Sequence, residues 1–227
     1  MSPVMPPKDE LMPHEAIGNQ IDLALARVVS FSDGIFAVAI TILVLALAVP
    51  DLGSRPTDAA LQTRLTALLP SILSFVLSFT VVGLYWLSHH RLFQVVHHFD
   101  RKALYANLFF LLTICFIPFP TGVIGQYGQL PTAAILYAGS MVVSGLALAA
   151  LWWLAAMRPA RQKSERAVAQ YFTLRALATS AVFIASTPVI LISPNWGERF
   201  WIAVIPAYLV LGRIYRRSLK AELRPGI

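Results

Sequence analysis

Ser30-Phe31-Ser32-Asp33-Gly34-Ile35-Phe36-Ala37-Val38-Ala39-Ile40-Thr41-Ile42-Leu43-Val44-Leu45-Ala46-Leu47-Ala48-Val49 decides the fold, because after Asp33 it carries no charge until Asp51. The apolar stretch to which it belongs, 29–49, is long enough as a helix to cross a hydrocarbon core about 30 Å thick. Five further stretches follow at 66–88, 103–124, 132–157, 168–192 and 198–215. At membrane depth the backbone finds no water, so each N–H and C=O must pair within its own segment, as it does in a helix. A strand barrel needs alternating segments of about 10 residues, and the sequence shows none. The expectation is an all-α membrane protein with six transmembrane helices.

Composition agrees. Of 227 residues, 57% are hydrophobic and only 13% charged, where a soluble domain carries about 25% charged residues. Three regions are expected: a polar N-terminal tail over 1–26, one six-helix membrane domain over 27–217, and a basic C-terminal tail over 218–227. No length remains for a soluble enzyme domain. The first residues lack the basic start and apolar run of a cleaved signal peptide, so the first span is expected to stay. Cys115 is the one cysteine and makes neither an internal disulfide nor a cysteine-rich metal site. Pro118 and Pro120 should kink or end the third helix early, Pro188 and Pro206 should bend the fifth and sixth, and Pro70 suits the first turn of the second.

The net charge of +7 reads as topology. If the N-terminus is cytoplasmic, all of the 18 lysines and arginines except Arg55, Arg64 and Arg199 flank the spans on the inside. This bias supports six crossings with both ends inside, and attraction to anionic lipid, rather than nucleic-acid binding. Trp86, Trp152 and Trp153 near inner boundaries, and Trp196 and Trp201 near an outer one, suit interfacial aromatic belts.

The polar residues at the foot of the first span, Arg27, Ser30, Ser32 and Asp33, stand out. Charged groups inside a membrane cost about 2.5–3.5 kcal/mol at the centre of a helix and less near its ends. They face a partner, the bundle interior or water, or they are simply interfacial. On a helical wheel at roughly 100° per residue, Val38, Thr41, Ile42 and Leu45 share one arc. If copies of this helix surrounded an axis, the arc would make stacked apolar rings with one hydroxyl ring among them, a geometry that gates by dewetting. A helix apolar all round always contains some such stripe, so the geometry alone leaves that role open. Asp100, beside Arg101, reads as a helix-start acid.

A second polar cluster, Tyr85-Trp86-Leu87-Ser88-His89-His90-Arg91, is followed by His97 and His98. Four histidines this close raise the thought of a metal, but His14 is the only other histidine, and a membrane metalloenzyme needs more ligands. Hydrogen bonding at the boundary, with Asp33 as one partner, suits them better, and would allow pH sensitivity. A proton-coupled secondary transporter relaying protons through Asp33 and the His89/His90 cluster is the alternative function. It predicts inverted repeats and broken helices, and no internal repeat is visible.

Arg27-x-x-x-Phe31-Ser32-Asp33, joined by Tyr85-Trp86-x-x-His89-His90-Arg91, resembles the signature of the transmembrane protein 175 family of potassium channels, in its prokaryotic, single-repeat form. The resemblance implies a potassium-permeable leak channel in the cell membrane. A channel of that kind would be a homotetramer with cytoplasmic termini, surrounded by lipid, and neither an enzyme nor a nucleic-acid binder is expected. It implies a pore lined by the first helix, with Val38, Ile42 and Leu45 as constriction rings and the Thr41 hydroxyls contributing to selectivity. It implies a supporting network drawn from Arg27, Ser32, Asp33, Trp86, His89 and His90. No cofactor and no tightly bound metal is implied; the potassium ion passes near Thr41 in transit.

Overall fold

The computed structural model describes residues 13–54, 56–96, 99–160 and 162–222, with side chains from Leu23 to Tyr215. Among these residues every regular element is helical. In chain order they are α1 (Pro13–Ile42), continued by a 3-10 turn (Leu43–Ala46), then α2 (Asp58–Ala67), α3 (Leu69–Val95), α4 (Arg101–Phe116), α5 (Pro118–Tyr127) and α6 (Pro131–Trp152). A π-helical turn (Trp153–Met157) extends α6, and α7 (Lys163–Ile192), α8 (Pro194–Phe200), a 3-10 turn (Trp201–Ala203) and α9 (Val204–Glu222) complete the chain.

Five of the six expected spans are helices long and apolar enough to cross a membrane: Leu23–Ala46, Leu69–Val95, Arg101–Tyr127, Pro131–Met157 and Lys163–Ile192. The third is two helices in line. α4 stops at Phe116 and α5 begins at Pro118, as the two prolines there suggested, since a proline lacks the N–H that would continue the ladder. Pro188 is carried inside α7, and Pro70 sits in the first turn of α3. Asp100 caps α4, its Oδ1 accepting from the Ala103 N–H at 2.8 Å.

The last apolar stretch, 198–215, is not one continuous span. It starts within α8, which folds against the end of α7. Gly197 comes so close to Ile190 that a Cβ there would overlap it, and the Trp201 indole donates to Ser186 Oγ at 2.8 Å. α9 then runs into Arg213, Arg216 and Arg217, which cut its apolar length short.

α6 is the centre of the bundle. Tyr137, Met141, Leu148 and Trp152 on it are fully buried, and it packs against α4, α5 and α7. The α6–α7 contact is close because Gly145 meets Ser180 and the Ala176 carbonyl. Two of the aromatic-belt expectations need correction. Trp152 and Trp201 lie inside the bundle, not against lipid. Each ring fills a gap between helices, and each indole N–H has a buried serine partner, Ser88 at 3.1 Å and Ser186 at 2.8 Å. Trp153 and Trp196 are exposed.

Candidate functional site

α1 lies at the edge of the bundle, against α3, α4 and α5. Its two sides are unlike. Ser32, Phe36, Ala39 and Leu43 are buried, and on a wheel of roughly 100° per residue they fall within one arc about 60° wide. The opposite side carries Phe31, Val38, Thr41, Ile42 and Leu45, all exposed. Val38 shows 56% of its surface, Ile42 43% and Leu45 75%. The four residues singled out from the sequence therefore do share a face, and all four are exposed there. Leu45 belongs to the 3-10 turn, not to α1 proper, so the tighter winding there shifts its angle from the α-helical wheel.

Thr41 is turned inward on itself. Its hydroxyl donates back to the Ala37 and Val38 carbonyls, at 3.0 and 2.9 Å. The proton is thereby committed to the helix, and the oxygen lone pairs are what the hydroxyl offers to its surroundings.

The foot of α1 is held by two polar chains. In the first, His89 Nε2 lies 2.7 Å from Asn107 Oδ1, Asn107 Nδ2 donates to Ser32 Oγ at 3.2 Å, and Ser32 Oγ donates to the Val28 carbonyl at 2.8 Å. α3, α4 and α1 are thus tied in sequence. The His89 ring is enclosed by Phe36, Phe93 and Phe110, with centroids 5.4, 4.9 and 5.7 Å away. In the second, the Trp86 indole donates to Asp33 Oδ1 at 2.9 Å, and His90 stacks on Trp86 at 5.3 Å. Gln94 bridges His90 and Arg91, its Nε2 3.1 Å from His90 Nε2 and its Oε1 accepting from Arg91 at 2.6 Å.

Ser32, Asp33, Trp86, His89 and His90 are therefore brought together, and both histidines take part, in different chains. Arg27 is not brought in. It is exposed and makes no hydrogen bond to these groups among the described residues. It lies six positions before Asp33, roughly 240° away around the helix. Asn107 was missed by the sequence reading; its signal was an amide within the apolar run 103–124. His97 and His98 lie outside the described residues. Among the described residues no three histidine, cysteine or carboxylate side chains gather as metal ligands.

The family model for the endosomal/lysosomal potassium channel TMEM175 matches residues 27–118 of this chain, the segment that takes in α1 from Arg27 onward, α2, α3, α4 and both polar chains. A potassium channel of Chamaesiphon minutus is 38% identical over 145 residues, 62% of this chain and 71% of that protein. A potassium channel of Streptomyces collinus is 38% identical over 131 residues, 56% of this chain but only 62% of that protein, so less than two thirds of its length is matched. In three dimensions the chain is similar to the crystal structure of a lysosomal potassium-selective channel TMEM175 homolog from Chamaesiphon minutus. The TM-score is 0.72 at 29% identity, covering 83% of this chain and 98% of that one. The family model covers the segment that anchors the two-sided first helix, and the chain belongs to the TMEM175 family.

Proposed function

We propose that the chain is one subunit of a potassium-permeable leak channel whose pore is lined by α1. The observation that carries this reading is the separation of faces on α1. One side is bolted to the bundle through Ser32, Phe36, Ala39 and Leu43, while Val38, Thr41, Ile42 and Leu45 stay uncovered. A helix held this firmly on one side presents its other side in a fixed orientation to whatever lies beyond. Around a symmetry axis, Val38, Ile42 and Leu45 become rings of methyl groups that exclude water unless the passage widens. Thr41, with its proton turned back to the helix, adds a ring of oxygen acceptors near which a potassium ion exchanges part of its hydration shell. The resemblance to potassium channels of Chamaesiphon and Streptomyces supports potassium as the permeant ion.

The assembly in this proposal is a homotetramer in the cell membrane with both termini cytoplasmic. The segment Pro194–Glu222 provides the sixth crossing, entered through the α8 turn. The Asp33–Trp86 and Ser32–Asn107–His89 chains position α1, and no catalytic chemistry is invoked. Liposomes loaded with potassium and carrying the purified tetramer should lose the ion down its gradient faster than empty vesicles. Flux equal to that of empty vesicles, from protein of verified assembly, would falsify the channel reading.

A further inference from the structure

Arg175 stands inside a span, on α7, at the junction with α9. Its guanidinium carbon lies 4.1 Å from the centre of the Tyr208 ring, 5.5 Å from that of Tyr171 and 5.7 Å from that of Phe172. The box is braced. Tyr208 Oη is 2.7 Å from Thr179 Oγ1, and Tyr171 stacks on Tyr215 with ring centres 4.2 Å apart. A guanidinium has five N–H donors. Among the described residues one long bond to Tyr171 Oη at 3.5 Å is made, and the buried Nε has no partner. The groups that these contacts bring to Arg175, Tyr171, Phe172 and Tyr208, include no carboxylate. Rings lie beside the cation, and the edge of a guanidinium is the part that grips an oxyanion with two parallel N–H···O bonds.

Depth indicates which oxyanion. α7 has 30 residues, about 45 Å of helix, and so overhangs a core of about 30 Å by about 15 Å. The overhang falls at the Lys163-Ser164-Glu165-Arg166 end, since the other end closes on exposed Leu191 and Ile192. Arg175, about 18 Å along the axis from Lys163, then sits just beneath the headgroup level. An arginine reaches that level by extending its side chain, and Arg175 retains some exposed surface.

We propose that Arg175, framed by Tyr171, Phe172 and Tyr208, is a binding site for a phosphate oxyanion, offered by an anionic lipid headgroup or by free phosphate. The site depends on membrane insertion and not on what passes along α1, so its failure would leave the channel reading intact.

The test is native mass spectrometry of the intact protein in detergent, titrated with phosphatidylglycerol, phosphatidylcholine or inorganic phosphate. Wild type should hold phosphatidylglycerol at least five-fold more tightly than Arg175→Gln does. Arg199→Gln, which removes the cation over Trp196 on α8, should bind like wild type. If equimolar inorganic phosphate displaces the lipid, the anion can come from solution; if it does not, the headgroup is the ligand. Should Arg175→Gln fail to assemble, Arg175→Lys keeps the charge without the fork, and Tyr208→Leu removes the closest ring; each should weaken binding at least two-fold. Undiminished phosphatidylglycerol binding in the assembled variants, or no preference of wild type for phosphatidylglycerol over phosphatidylcholine together with no phosphate binding, overturns the proposal.

Discussion

His89 and Asn107, side by side between α3 and α4 with Nε2 and Oδ1 2.7 Å apart, are both buried, and each satisfies the other. The amide oxygen accepts from the imidazole while the amide nitrogen donates onward to Ser32. Ser32 spends its own proton on Val28. Every group in the chain has one role, and the direction of each bond follows from its neighbour's.

Replacing Asn107 by leucine fills the same volume but leaves the His89 N–H without an acceptor and Ser32 without its donor. A buried polar group left unpaired costs about 1–3 kcal/mol. Asn107→Leu should therefore lower the melting temperature of the detergent-solubilised protein, while Asn107→Gln should recover part of the loss. An unchanged melting curve for the leucine variant would mean that this chain does not hold α1.

Trp86 and Asp33 make the second attachment of α1. Asp33→Asn keeps an oxygen where Trp86 donates; Asp33→Ala removes it. The alanine variant should be destabilised by about 1–3 kcal/mol, and the asparagine variant less. Trp86→Phe combined with Asp33→Ala should cost less than the two single changes added together, because both delete one bond. Strict additivity in that cycle would show that the two side chains are not energetically coupled.

The crossing of α6 and α7 offers a paired test within one helix. A Cβ at Gly145 would strike Ser180 and stand 2.9 Å from the Ala176 carbonyl, whereas at Gly139 it would meet nothing within 4 Å. Gly145→Ala should cost about 1–3 kcal/mol, the usual range for overpacking. Gly139→Ala should be neutral or stabilising by up to about 1 kcal/mol, through the higher helix propensity of alanine. Equal melting temperatures for the two variants would argue against the close approach of these helices.

Hydropathy made the spans legible because a membrane acts on a helix as a solvent, residue by residue, and Leu69–Val95 or Pro131–Met157 needed no knowledge of neighbours. The face of α1 was legible only as one stripe among several. Val38 and Ala39 are both apolar, and only packing against α3, α4 and α5 makes Ala39 buried and Val38 free. The two-histidine pattern marked a polar site, but the roles of His89 and His90 were set by Asn107 and Trp86. Asn107 is 75 residues from its partner Ser32, and by hydropathy alone Trp86 read as an interfacial anchor, its place in the network coming only from the family resemblance. Trp152 failed for the same reason: an indole beside a boundary reads as lipid-facing until a serine on another helix takes its N–H. The break between α8 and α9 was hidden because the turn at Trp201 is held by Ser186 on α7, not by a local breaker.

The sharpest test of the proposed pore uses the uncovered face of α1. Ile42 and Leu45 are both exposed, so replacing either by asparagine should leave the melting temperature nearly unchanged, as expected of substitutions away from the packed core. In a tetramer, however, four amides would replace four aliphatic side chains at one level of the passage. A ring that excluded water becomes one that holds it, and hydrated sodium then passes as well as potassium. Ile42→Asn and Leu45→Asn should therefore raise conductance and narrow the potassium-to-sodium permeability ratio in planar bilayers. Thr41→Val keeps the shape of the side chain but deletes the oxygen whose proton is directed to Ala37 and Val38. It should lower the same ratio without raising conductance. The two classes of change separate the roles: one opens the passage, the other removes a ligand. If all three variants discriminate between the ions as wild type does, α1 does not line the path, even though its exposed face is real.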